Sequence, residues 1–187
     1  MKHLLSFALA LLAAFCSAPA VRAAEKPNIV FFFSDDQNAE AVGALNNPHI
    51  RTPNIDKLYA RGFHFNRTFC MGSHHGAVCA PSRAMLMSGK TLFRAPDNLK
   101  NVTLLPAVFG DAGYETFGTG KWHNGPDAFA RAFKHGTNIF FGGMGVQDKL
   151  PVCDMKADRT FTPRQQLTKF SSEAFADAAV TFIEGHN

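Results

Sequence analysis

No acidic residue precedes Glu25, and no apolar run in the 187 residues is long enough to cross a bilayer. The longest early run, "LLSFALALLAAF", has about a dozen residues where a spanning helix needs about 20. It follows a short basic start, "MKH", and precedes small residues, "SAPAVRAA", that suit cleavage near Ala20 or Ala23–Ala24. That order predicts an export signal over residues 1–24 and a periplasmic or secreted product. The alternative, a retained membrane anchor, is disfavoured by length, so no stable membrane insertion is expected. Phe15 stands where a lipoprotein site at Cys16 would want a small residue.

A strong charge of either sign is lacking too. Removing Lys2 and Arg22 from the 19 basic residues leaves 17 against 15 acids. A balance of +2 is too mild to argue for nucleic acid as a partner. Internal repeats and low-complexity tracts are absent. "FFGGMG" matches no phosphate-cradling motif and reads as backbone permissiveness. His74-His75 has no partner at zinc-like spacing and reads as a loop feature with a substrate-side position. Cysteine is scarce: Cys70, Cys79 and Cys153 remain beyond the signal, an odd number in an oxidising compartment. If Cys70 and Cys153 pair, Cys79 is left over; spacing alone does not fix the pairing.

What is present alternates between strand-like and helix-like stretches. "PNIVFFFSDDQ" is an unbroken apolar run closed by two acids, as suits a central strand covered on both faces. "TPNIDKLYARGF" predicts a helix starting at Thr52-Pro53, with Ile55, Leu58 and Tyr59 on one face and Gly62 as its end. "HFNRTF" alternates like a short strand. "APSRAMLMSG" and "TLLPAVFGDAGY" predict two helices, with Pro81 and Pro106 near their first turns and Gly89 and Gly113 as their stops. "ETFGTGKWH" predicts a strand running into a loop, and residues 147–164 a long loop. "SSEAFADAAVTFIEGHN" predicts a helix capped by Ser171 or Ser172, with Phe175, Ala178, Ala179, Phe182 and Ile183 inward. The alternation argues an α/β fold. "NRT" at Asn66 and "NVT" at Asn101 are glycosylation sequons that matter only in a eukaryotic secretory host.

Three constellations carry chemistry. Asp35 and Asp36 close the first apolar run. Adjacent strand residues point to opposite faces, so both carboxylates reach one ion only if the strand has ended there. Two carboxylates at the carboxyl end of such a strand suit Ca²⁺ or Mg²⁺; the bland alternative is an acidic turn capping the next helix. Cys79 stands at the mouth of a helix with Arg83 one turn on, where the helix start and the guanidinium both favour negative charge. A reactive thiolate, a disulfide half and a small buried cysteine all fit that position. Lys121 and His123 are two apart, so an extended backbone points both to one side, a cation beside a general acid or base. A solvated lysine and a packed histidine are the alternative.

Together these residues resemble the sulfatase family. "CAPSRAMLMSG" is similar to its first signature, C-x-P-S-R before a short apolar helix and glycine. "GYETFGTGKWH" is similar to its second, and "PNIVFFFSDDQ" to its opening strand with metal-binding aspartates. Ser88 stands where threonine is usual, and Thr119 where a smaller or aliphatic residue is commoner. The resemblance implies an alkaline-phosphatase-like sandwich, with a central mostly parallel sheet flanked by helices, of which residues 25–187 form the N-terminal part. It implies hydrolysis of sulfate monoesters on a sulfated small molecule or carbohydrate. Cys79 becomes the site that a formylglycine-generating maturation enzyme oxidises to an aldehyde. One hydroxyl of the aldehyde hydrate attacks sulfur, and deprotonation of the other expels sulfate. Asp35, Asp36 and residue 79 are implied as ligands of Ca²⁺ (alternatively Mg²⁺), Arg83 as holding the hydrate, Lys121 the sulfate and His123 the second hydroxyl. A related phosphonate or phosphate monoester hydrolase, and a non-catalytic anion-binding half of a sulfatase, are the rivals. The family pattern also needs a later histidine, a second lysine and an Asp-Asn-like pair. These 187 residues do not supply them, so little activity is expected from this piece alone.

Overall fold

The structure, a computed structural model, describes residues 26–186. The expected signal over residues 1–24, with Cys16, lies outside the described residues. The described residues divide between two units, one ending at Asn38 and one beginning at Ala39, and each is described by itself.

In the first unit the expected central strand does not form. Residues 26–34 have neither helix nor strand, and Ile29, Val30, Phe31, Phe32 and Phe33 are all exposed. A strand exists through ladder bonds to neighbouring strands, and among the described residues no strand pairs with this run. Along it the Phe31 and Phe33 rings stack 6.1 Å apart.

The second unit contains helices α1 (Pro53–Arg61), α2 (Cys79–Ser88), α3 (Leu105–Asp111), α4 (Pro126–Ala132) and α5 (Ser171–Glu184). Its strands are β1 (Phe117–Lys121), β2 (His135–Phe140), β3 (Pro151–Val152) and β4 (Gln165–Gln166). β1 and β2 pair in parallel through the α4 crossover, while β3 and β4 form a two-residue antiparallel ladder. The unit is therefore α/β, but its parallel sheet has two strands among the described residues, not the broad central sheet expected.

β2 separates two cores. Ile139 belongs to one, with Trp122, Phe129, Ala84, Leu99 and Leu104. Phe140 belongs to the other, with Leu150, Val152, Leu167 and Ala174. Consecutive strand residues face opposite ways, so one dipeptide serves both layers. The register shifts between Gly118 and Gly120: Gly118 opposes Gly136 and Gly120 opposes Ile139, which leaves Thr137 and Asn138 across from Thr119 alone. Asn138, at φ 52°, uses the bulge to reach other elements. Its N–H donates to Asp154 Oδ1 (2.8 Å) and its Nδ2 to Ala174 O on α5 (3.2 Å).

Phe129 is the hub of the first core. It is 2% exposed, and its ring centroid lies 4.8 Å from that of Phe133 and 5.4 Å from that of Trp122. A Cβ at Gly136 would sit 2.5 Å from Phe129 Cε1, so the glycine is there for close approach. Phe129→Ala in the full-length protein is expected to lower unfolding free energy by roughly 3–5 kcal/mol. A denaturant midpoint unchanged from wild type would refute its central place.

The glycine and proline punctuation sets the helix bounds. Pro53, Pro81 and Pro106 sit in first turns, and α2 ends at Gly89 in the left-handed region (φ 63°). Burial follows expectation less well. α1 buries no residue, so its Ile55–Leu58–Tyr59 face stays open; its ties are Thr52 and Asp56 to the turn at Gly43–Leu45. Residues 64–69 form no strand, with Phe65 and Phe69 exposed. Residues 147–164 are not all loop: Pro151–Val152 pairs with β4 and Cys153 bridges Ile139. Neither Ser171 nor Ser172 caps α5, whose N-cap is Phe170. Ser171 Oγ instead donates to Gln147 Oε1 at 2.6 Å, fastening the preceding loop. Ala174 and Ala178 are buried on α5, whereas Ile183 remains exposed.

Candidate active site

Cys79 is the first residue of α2 and is half-buried; Arg83, one turn on, is 6% exposed. Residues four apart on a helix share a face. The guanidinium of Arg83 reaches across to β1, where Nη1 donates to Lys121 O at 2.6 Å. A second tie lies at the very start of the helix. Asn124 Nδ2 donates to Ala80 O at 3.0 Å and to Asp97 O at 2.6 Å. Two motifs some forty residues apart in sequence are thus docked on each other, through one bond at each end of the first turn of α2.

The Lys121–Asn124 segment is not extended as expected. β1 ends at Lys121; Trp122 N still donates to Phe140 O (2.8 Å), and then His123 takes φ 70°. Trp122 Nε1 donates to Gly125 O (2.9 Å), closing the turn. The strand alternation that was to put Lys121 and His123 on one side therefore stops before His123. Both residues are half-buried. The His123 ring lies against Gly143, where a Cβ would be 2.8 Å from both Cε1 and Nε2. In "FFGGMG" the glycines answer to neighbours: a Cβ at Gly142 would meet the Phe140 ring at 2.5 Å, and one at Gly145 would meet Leu150 at 2.5 Å.

Asp35 and Asp36 lie in the first unit, both exposed in a bend, with Asp36 at φ 54°. The chain has left any extended course there, which is the condition for two adjacent carboxylates to serve one ion. As hard oxygen donors they fit part of the six-to-eight-oxygen shell of Ca²⁺. The sulfur of an unmodified Cys79 does not fit such an ion, whereas an oxygen at that position does. Among the described residues no group of three or more His, Cys, Asp or Glu side chains is arranged to hold a metal.

His74 and His75 engage different partners. His74 meets Phe93 edge-on at 5.7 Å, and His75 Nε2 lies 3.6 Å from Asp97 Oδ2. They do not act as a pair. Cys70, Cys79 and Cys153 are all free thiols, so no Cys70–Cys153 bridge is present. Cys70 is exposed, with Sγ 3.7 Å from Ser82 Oγ on α2. Cys153 is buried, and desolvation pushes its thiol up, keeping it protonated and unreactive. Away from this region Glu115 is held below the usual carboxylate range by hydrogen bonds from Lys134 and His135.

Sequence patterns single out neither Asn124 nor Asp97, and Gly143 reads there only as part of the permissive "FFGGMG" stretch. An asparagine followed by Gly-Pro reads as turn chemistry, and only the fold shows its amide bridging two distant carbonyls.

A family model described as Sulfatase matches residues 27–187. The chain is 31% identical over 120 residues to the N-acetylglucosamine-6-O-sulfatase of Bacteroides thetaiotaomicron, covering 61% of this chain and 21% of that protein. It is 30% identical over 182 residues to arylsulfatase A of Bos taurus, covering 84% and 35%. It is 32% identical over 143 residues to the steryl-sulfatase of Homo sapiens, covering 64% and 24%. The chain thus spans between about a fifth and about a third of the length of these relatives. No solved structure matches. Among the described residues no helix is long and apolar enough to cross a membrane.

Proposed function

From the premise that this chain belongs to the sulfatase family, we propose that residues 25–187 form the N-terminal part of an exported sulfatase catalytic domain of alkaline-phosphatase-like fold. The whole protein hydrolyses sulfate monoesters of a small molecule or carbohydrate. Residue 79 works as formylglycine after oxidation of Cys79 by a maturation enzyme, and Asp35, Asp36 and residue 79 hold Ca²⁺ (or Mg²⁺). The observation that supports this most is the docking of the Cys79–Arg83 turn on the Lys121–Asn124 turn through Arg83 Nη1–Lys121 O and Asn124 Nδ2–Ala80 O.

A formylglycine hydrate supplies the attacking oxygen and a built-in release of sulfate, and a divalent cation supplies positive charge to the sulfate oxygens. The rest falls to side chains. Arg83, fixed by Lys121 O, places a permanent cation one turn from residue 79 and stabilises negative charge there. The Lys121 ammonium binds the sulfate and orients it for in-line attack. His123 takes the proton from the second hydroxyl oxygen of residue 79, with its ring braced by Gly143.

The direct test is the mass of the peptide carrying residue 79 from the active full-length enzyme, together with turnover of aryl sulfate against aryl phosphate. Conversion to the aldehyde removes about 18 Da, the difference between a thiol CH₂SH and CHO. An intact thiol or a disulfide in active enzyme overturns the mechanism, and faster turnover of phosphate overturns the substrate class. Chelation is expected to abolish sulfate release and added Ca²⁺ to restore it, with Asp35→Asn and Asp36→Asn raising the Ca²⁺ needed. Activity that survives exhaustive chelation would remove the metal from this account.

Gly143→Ala tests the brace on His123. The new methyl must push the ring by several tenths of an ångström. Misplacement on the ångström scale is worth up to about 10²-fold in rate, so kcat is expected to fall roughly tenfold with the melting temperature nearly unchanged. An unaltered kcat would show that His123 tolerates displacement.

A further inference from the structure

We infer that Asn124 is a positioning residue: its amide fixes where residue 79 stands relative to Lys121 and His123. The inference deepens the sulfatase proposal and rests on it. Asn124 is 3% exposed and follows His123 directly. A primary amide has two N–H donors on one nitrogen, and Nδ2 spends them on Ala80 O and Asp97 O, carbonyls of two different segments. Ala80 is the residue immediately after Cys79. Asp97 carries the carboxylate beside His75 (3.6 Å), and His75 lies on the segment that leads into Cys79. One nitrogen therefore ties the residue that follows position 79 to the Asp97 segment and to the turn that carries His123.

The arm has little slack. Trp122 fixes the backbone before Asn124 through its bond to Phe140 O and the backbone after it through its indole bond to Gly125 O. The side chain is short, and its Nδ2 is committed at both hydrogens. Arg83 is a second strut one turn along α2, so sliding or rotating the helix start breaks one bond or the other. The Oδ1 atom of Asn124 is buried with no hydrogen-bond partner. Leaving a buried acceptor unpaired is unfavourable. The polar contacts of this side chain are thus its two donations.

The experiment uses the full-length enzyme with Asn124→Asp and Asn124→Ser. The aspartate variant has nearly the same shape but turns both donor positions into acceptors facing carbonyl oxygens. Aldehyde content is read by peptide mass, and kcat for aryl sulfate is expressed per folded, aldehyde-bearing molecule. Both variants are expected to lose at least about tenfold in kcat with KM within about threefold. A carboxyl group buried against two carbonyls has its pKa raised and donates only when protonated. The kcat of Asn124→Asp should therefore recover as pH falls, relative to wild type at the same pH. Arg131→Met is the control, because Arg131 makes the same kind of double bond, to Leu99 O and Val102 O, away from position 79. It should lower the melting temperature and leave kcat unchanged. If Asn124 variants lower the melting temperature but keep kcat per aldehyde, Asn124 is a structural tie only and the inference falls. If Asn124→Asp does not fold, Asn124→Ser decides by the same criterion. A wild type that carries the aldehyde but releases no sulfate sinks the sulfatase proposal itself, a failure visible before any variant is compared.

Discussion

Cys79→Ser in the full-length enzyme is expected to lower steady-state sulfate release by about 10⁴-fold or more, the scale seen when a covalent nucleophile is removed. The two candidate chemistries at this position part ways in what the variant leaves behind. A serine hydroxyl has no second hydroxyl on its carbon, so once it has taken a sulfate it has no internal route to expel it. The variant should accumulate one adduct about 80 Da heavier on the peptide of residue 79, a dead-end sulfate ester. Cys79→Ala should lose the same activity and gain no adduct. The peptide masses also verify that the substituted serine has not itself been oxidised. Wild-type-like multiple turnover from a Cys79→Ser enzyme whose serine is unmodified would eliminate the formylglycine mechanism.

Arg83→Lys should be nearly as damaging, for two separable reasons. The buried guanidinium holds the Lys121 carbonyl at 2.6 Å and places charge one turn from residue 79. An ammonium keeps the charge but not the fixed fork, so it does not hold both places at once. Loss of that geometry is expected to lower kcat by roughly 10²-fold. Loss of a buried, charged hydrogen bond is expected to lower stability by about 1.5–3 kcal/mol. Arg83→Met removes the charge as well and should fall further in kcat than in stability. Equal stability loss with full activity in Arg83→Lys would reduce Arg83 to a strut.

The helices α1, α2, α3 and α5 were legible because proline, glycine and apolar spacing act locally. α4 and β2 were not singled out, although Gly125-Pro126 is a helix start signal; β2 in particular shows no alternation because Ile139 and Phe140 are both buried, on opposite sides. The strand expected at residues 27–33 failed for the opposite reason: apolar character is local, whereas pairing is supplied by other segments. In the candidate site, residue types and spacing pointed to Cys79, Arg83, Lys121 and His123. The left-handed turn at His123 and the amide of Asn124 could not be read, since both depend on bonds to Phe140, Gly125, Ala80 and Asp97.

The extra residue in β2 gives the strand a sideways reach that a regular strand would lack. Gly136 and Ile139 abut the same core three residues apart, an odd interval that a regular strand would place on opposite sides. Deleting Thr137 or Asn138 would leave Gly136 and Ile139 two apart, the interval a regular strand keeps on one side, so Ile139 would still face Phe129 and Phe140 the Leu150–Leu167 layer; what would be lost is the bulge from which Asn138 reaches Asp154 and Ala174. Phe140 also receives the Trp122 N–H that precedes His123. A single-residue deletion there would thus spare both cores and the Trp122 bond while cutting the strand's side ties to Asp154 and α5.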